Sequence, residues 1–141
     1  MKYSELENRF ILHEPISERV AIYPPEKIVT EYIILTPDGV LLIDKGFIFG
    51  PSGPTHADQY NMRASAVHDA GYWLMSMGRL SQKWRIAWDK ELRRIMIEVT
   101  RGCGWVKRTL GWFRAQYYYI AVRWQGRSAA SRRKQEILEA P

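Results

Sequence analysis

The apolar positions of this chain fall into two kinds of pattern: short runs before residue 50 and helical stripes after residue 63. In "KIVTEYIILTPDGVLLIDKGFIF", two runs rich in Ile, Val, Leu and Tyr flank the turn sequence "TPDG". Pro37 has its φ pre-set for a turn, and Gly39 is free to take positive φ. The stretch predicts a β-hairpin with strands at about 28–35 and 40–48. Ahead of it, "RFILHEPISERVAIYPPEK" is broken by Pro15 and by Pro24-Pro25, which predicts a short helix or an irregular arm over residues 1–26. Residues 50–62, "GPSGPTHADQYNM", form a loop, because glycine and proline this close together exclude helix and strand.

Three helices are expected after that loop, at about 63–77, 81–101 and 105–125. Gly78 and Gly102-Cys103-Gly104 mark the breaks, and Ser81 is a suitable N-cap for the second helix. The tail "GRSAASRRKQEILEAP" is polar and basic, either a short helix or a flexible arm. The expected fold is α+β: an N-terminal arm and β-hairpin, then a three-helix core with two antiparallel helices. It forms a single domain over residues 1–126, followed by a basic C-terminal tail at 127–141.

The first helical stripe runs Ala64, Val67, His68, Gly71, Tyr72, Met75, an i, i+3, i+4, i+7 series with a histidine on its apolar line. Asp69 is rotated by about 100° to the edge of that stripe. The second stripe runs Arg85, Trp88, Asp89, Leu92, Ile95, Met96, Val99 and holds a carboxylate at its centre. Two helices joined by a short turn pack their apolar faces together. His68 and Asp89 lie at similar distances on either side of the turn near 78–80, which sets them side by side. A buried carboxylate and a buried imidazole both need partners. If Asp89 accepts from one ring nitrogen, the other is left free, the arrangement of an orienting carboxylate and a general base. The other reading is a structural bond that ties two helices together.

Composition narrows the setting. Aromatic residues make up 13% of the 141 positions, and nearly half the chain is apolar, enough for a core without staples. Cys103 is the one cysteine, so no intrachain disulfide forms. The first residues mix charge into every turn and carry no apolar signal segment, and no stretch is apolar enough to span a bilayer. Charge is uneven. Residues 1–63 hold six Lys/Arg against nine Asp/Glu, residues 64–100 six against four, and residues 101–141 nine against two. The last segment alone exceeds the +6 of the whole chain, so an acidic neighbour is expected there unless the charge is simply solvated.

Several stretches resemble a phage-encoded domain family of unknown function. They are Gly46-Phe47, "GPSGPTHAD" at 50–58, "MRASAVHDAGYWLM" at 62–75, "AWDKEL" at 87–92 and "YYYIAVRWQG" at 117–126. The resemblance covers about residues 40–126 and implies a phage or prophage protein, located in the virion or the host cytoplasm. It supplies no function. More distantly, "HDAGY" followed some twenty residues later by an inward Asp resembles the two-helix core of the secreted phospholipase A2 superfamily. That resemblance implies His68 as the base that activates water, Asp89 as its orienter and Tyr72 as support. It also implies Asp69 as a calcium ligand, with the loop around Gly50, Gly53 and Asp58 supplying further oxygens. Calcium suits such a donor set. The chain departs from that superfamily in having no disulfides and no cysteine-glycine loop.

Other constellations carry less chemistry. His56 and Asp58, with His68 and Asp69, could instead hold zinc, but no HExxH or paired CxxC accompanies them. Ser52 and Ser65 lie near histidines without a nucleophile elbow. In the third helix, Trp105, Trp112, Phe113, Tyr117, Ile120 and Trp124 roughly follow one face, with Lys107, Arg108, Arg114 and Arg123 at other positions. A core helix with snorkelling arginines is the expectation. A lipid-surface helix, a single-strand nucleic-acid platform and a subunit interface are the other readings.

Two function classes follow. The first is a calcium-assisted hydrolase of a lipid or cell-envelope ester. The second is a non-catalytic virion, tail or assembly protein, with a structural His-Asp pair and its aromatic, basic C-terminal region packed on other virion subunits. A third reading has the basic tail contacting nucleic acid.

Overall fold

A computed structural model describes residues 1–6, 9–50, 62–101 and 104–139, with the side chains of 6, 106 and 125–139 outside the description. The chain is α+β. Among the described residues, seven antiparallel strands form two sheets, and three α-helices follow. It divides into two compact units, Met1–Gly50 and Pro51–Pro141.

The first unit holds these seven strands. β1 (Tyr3–Leu6), β2 (Arg9–Leu12) and β7 (Ile48–Phe49) make one sheet in the order β1-β2-β7. β3 (Ile16–Arg19), β4 (Ile28–Val29), β5 (Ile33–Leu35) and β6 (Val40–Ile43) make the other, in the order β3-β6-β5-β4. The side chains alternate as a one-sided sheet requires: Leu41 and Ile43 are buried and Leu42 between them is exposed.

The turn after β5 forms where "TPDG" places it. The Gly39 amide donates to the Thr36 carbonyl at 3.0 Å, and Gly39 takes φ 85°. A side chain there would be strained, and its Cβ would stand 2.3 Å from the Val20 carbonyl oxygen.

The hairpin expected at 28–35 and 40–48 is real only in its middle, where β5 pairs β6 with Leu35 opposite Leu41. The first run is cut in two because Thr30 closes a turn. Its hydroxyl accepts from the Ile33 amide at 2.9 Å, and its own amide donates to the Ile33 carbonyl at 2.8 Å. The second run is cut by Asp44-Lys45-Gly46, with Gly46 at φ 91°, and its end joins the other sheet. The irregular arm expected over residues 1–26 is instead three strands. Four-residue strands such as "RFIL" are too short to show a period in sequence, and their pairing is what defines them.

The second unit holds α1 (Met62–Ser76), a 3-10 turn (Gln82–Trp84), α2 (Arg85–Thr100) and α3 (Trp105–Glu139). α1 ends in a Schellman motif. Gly78 takes φ 72°, the Arg79 amide donates to the Leu74 carbonyl at 2.9 Å, and the Gly78 amide to the Met75 carbonyl at 3.1 Å. Ser81 caps the 3-10 turn through the Lys83 amide, so α2 proper begins four residues later than its expected start.

α1 is buried on nearly every side, with only Arg63, Asp69 and Trp73 partly exposed before its last residue. Its small residues permit this. A Cβ on Gly71 would lie 2.1 Å from the Trp88 ring, so the missing side chain is what lets the indole of α2 lie against α1. On α2, Thr100 and Glu91 are buried and Val99 is exposed, a stripe shifted from the expected one.

α3 continues beyond the expected end at 125 to Glu139. Gly126 is the one poor helix former near that point, and the Ala, Arg, Lys, Gln, Glu and Leu that follow offset its cost of about 1 kcal/mol. The expected core face of α3 is not its core face. Ala115, Tyr118 and Val122 are buried, whereas Phe113, Tyr117, Ile120 and Trp124 are exposed.

Candidate functional site

The site is built on the second unit. α1 supplies His68 and Tyr72, which stand one turn apart on the same face. α2 supplies Asp89 from the turn after its start, and Gly71 beside Trp88 lets the two helices approach closely at this level. His68, Tyr72 and Asp89 are all buried, Asp89 completely.

The Asp89 carboxylate collects three donors. His68 Nε2 lies 2.9 Å from Oδ1, and the Tyr72 hydroxyl donates to the same oxygen at 2.6 Å. Arg123 Nη1, arriving from α3, stands 3.4 Å from Oδ2, an ion pair longer than an ordinary hydrogen bond. The His68 and Tyr72 rings also meet edge to face, with centroids 4.2 Å apart.

This geometry fixes the histidine. A carboxylate can only accept, so Nε2 carries a proton and donates it. In the neutral ring the lone pair is then on Nδ1. Nδ1 is buried and has no hydrogen-bond partner among the described residues. Asp69 Oδ1 is 4.0 Å from it, beyond hydrogen-bond reach. Burial, and then the bond to Asp89, push the Tyr72 hydroxyl well above its ordinary range, so Tyr72 stays a neutral donor. The arrangement is an oriented imidazole with an accepting nitrogen and a cation-backed carboxylate behind it.

The structure therefore brings His68, Tyr72 and Asp89 together. Of the residues expected to hold calcium, Asp69 lies beside His68, Gly50 ends the strand unit, and Gly53 and Asp58 lie outside the described residues. His56 and Ser52 lie outside them too. Among the described residues, no three or more His, Cys, Asp or Glu side chains gather as a metal would need. Asp69 by itself supplies a small part of the roughly six to eight oxygens calcium takes.

Arg123 is the site residue that sequence reading missed. It stood among the basic positions of the third helix, and the Gly102-Cys103-Gly104 break gives no register between α2 and α3. One signal was available. A fully buried carboxylate is costly beside a single neutral imidazole, so a cation was owed to it.

Comparison with family models, with curated proteins and with solved structures found no match to this chain.

Proposed function

We propose that this chain is a hydrolase of acyl esters in which His68 is the general base and Asp89 its orienting group. The observation that carries the reading is the accepting Nδ1 of an imidazole whose tautomer Asp89 fixes, a nitrogen with no hydrogen-bond partner among the described residues. In the reaction, a water proton passes to Nδ1 while the water oxygen adds to the ester carbonyl carbon. The tetrahedral species collapses with cleavage of the acyl C–O bond. The proton on Nδ1 then goes to the departing alkoxide, leaving acid and alcohol. Tyr72 and Arg123 hold Asp89 so that the imidazolium formed in the first step is stabilised without moving the carboxylate.

The resemblance to the phospholipase core adds two elements to the proposal, a lipid or envelope ester as substrate and calcium as cofactor. Asp69 is the ligand of that set beside the base; the described residues do not complete a calcium shell, and no step is assigned to the ion. The phage setting likewise belongs to the proposal.

The test is fatty-acid release from mixed phospholipid vesicles by wild type and His68→Ala, each with calcium and with chelator. Release that falls by at least about 100-fold in the variant supports the base role, since general-base catalysis supplies about 10²–10⁴-fold. Loss of release with chelator supports calcium, and release that persists in chelator removes calcium while leaving the base role standing. Unchanged release by a folded His68→Ala overturns the hydrolase reading.

One observation favours a second reading. His68 and Asp89 are 3% and 0% exposed within a helix buried almost all round, as in a structural staple. In that reading the chain is a non-catalytic virion or assembly protein, and wild type hydrolyses nothing.

A further inference from the structure

α3 carries two apolar faces where a helix at the edge of a bundle needs one. Its packed face is Gly111, Ala115, Tyr118 and Val122. A Cβ on Gly111 would stand 2.5 Å from the Thr100 side chain, and the three others are buried. Arg93 of α2 joins the same side, stacking over Tyr119 at 4.4 Å and reaching Gln116 at 3.4 Å.

On the opposite side, Leu110, Phe113, Tyr117, Ile120 and Trp124 follow one another at steps of three and four. Those steps keep them in one line along a helix, over about 21 Å. They are 63%, 61%, 52%, 57% and 85% exposed. Exposed apolar residues scattered singly need no explanation, but five large ones in a line mark a contact surface.

Charge identifies what that surface meets. Between Glu98 and Glu136 the sequence has no Asp or Glu and eight Lys/Arg besides Arg123, which turns to Asp89. The occupant is therefore anionic. A second copy of α3 would set two such acid-free stretches against each other within about a Debye length of 8 Å. Single-stranded nucleic acid needs a groove with stacking shelves. Here the stripe lies on an exposed helix face, and Leu110 and Ile120 offer no ring to stack on.

An anionic bilayer fits every part. Leu110, Phe113 and Ile120 suit the acyl boundary, Tyr117 and Trp124 suit the headgroup level, and Lys and Arg suit lipid phosphates. The orientation is in the plane of the surface, since among the described residues no helix is long and apolar enough to cross a membrane.

We infer that α3 docks on an anionic lipid surface through the stripe Leu110–Phe113–Tyr117–Ile120–Trp124. The inference does not rest on the hydrolase reading, because none of these residues belongs to the His68 site and the readout is binding.

The experiment is co-sedimentation of the full chain with phosphatidylcholine vesicles, with and without phosphatidylglycerol, followed by tryptophan emission. The expected result is binding to the phosphatidylglycerol vesicles with a blue-shifted emission. Binding weakens by at least about tenfold on vesicles of phosphatidylcholine alone, and weakens in high salt.

Phe113→Ser with Trp124→Ser should lower the partitioning by at least about tenfold. Two aromatic side chains leaving apolar surroundings forfeit more than the ~1.4 kcal/mol that one decade represents. Both positions are exposed, so the double variant keeps wild-type helicity by circular dichroism, which is the control for folding. Lys107→Glu, one step of three before Leu110 on the same line, tests the charge separately and should also weaken binding. Free inorganic phosphate should not displace the vesicles, which separates a lipid surface from a phosphate site.

Three results would overturn the inference. The wild type fails to bind phosphatidylglycerol vesicles; the double aromatic variant binds them as wild type does; or the wild type prefers a single-stranded oligonucleotide or its own second copy, and the double variant loses that association instead.

Discussion

Asp89 is the residue on which three helices converge. His68 comes from α1 at 2.9 Å, Tyr72 from the next turn of α1 at 2.6 Å and Arg123 from α3 at 3.4 Å. A buried carboxylate with three donors tolerates the loss of one better than a simple pair would. Removing one partner of an isolated buried pair costs about 3–5 kcal/mol. Here each deletion leaves two donors, so Tyr72→Phe should cost about 1.5–3 kcal/mol, the worth of one hydrogen bond to a charged group.

Tyr72 also has a pH signature. Its folded pKa is raised above the ordinary 10.0, so its contribution is fully present below pH 10 and is lost as pH rises beyond it. Stability of the wild type should fall above pH 10 more steeply than that of Tyr72→Phe, by up to about 1.4 kcal/mol per pH unit. Urea midpoints measured at pH 9 and pH 11 check this, and equal slopes in the two proteins would contradict it.

At the scale of elements, α1 depends on residues that have little or no side chain. Gly71 is the clearest case, because a methyl group there would overlap the Trp88 ring. Gly71→Ala should destabilise the protein by about 1–3 kcal/mol, although alanine is the better helix former. A thermal melt reads this as a fall of several degrees, and an unchanged or raised Tm would mean that Trp88 is free to move aside.

The existence and order of the helices could be read from apolar spacing, and so could the meeting of positions 68 and 89, because both follow from local periodicity and a short connection. What could not be read was which sides of α1 and α3 are covered. The α1 stripe of six residues understated a helix buried nearly all round, since Ala, Ser and Gly score as neutral while fitting inside. The aromatic face of α3 looked like core because large apolar side chains usually are. The packed face is Gly111, Ala115, Tyr118 and Val122, a line too small-sided to stand out. In the strand region the sequence showed the "TPDG" turn but not the Thr30 turn, whose cause is a side-chain hydroxyl replacing a backbone bond.

At the scale of the whole molecule, charge follows the division into two units. Residues 1–50 hold five Lys/Arg against eight Asp/Glu, and residues 51–141 hold sixteen against seven. The dyad and the exposed aromatic stripe both belong to the basic unit, on α1, α2 and α3. A basic surface raises the local concentration of an anionic substrate, which links the two proposals without making either depend on the other.

The central claim is that the accepting nitrogen of His68 does chemistry. The measurement that tests it most directly is the rate of ester hydrolysis by wild type and His68→Ala on the same phospholipid vesicles, each rate divided by the folded fraction from a parallel melt. The account predicts release by the wild type and a rate at least about 100-fold lower in a variant that is still folded. A folded wild type that releases no acid, or a variant as fast as wild type, would contradict it and leave His68–Asp89 as a tie between helices.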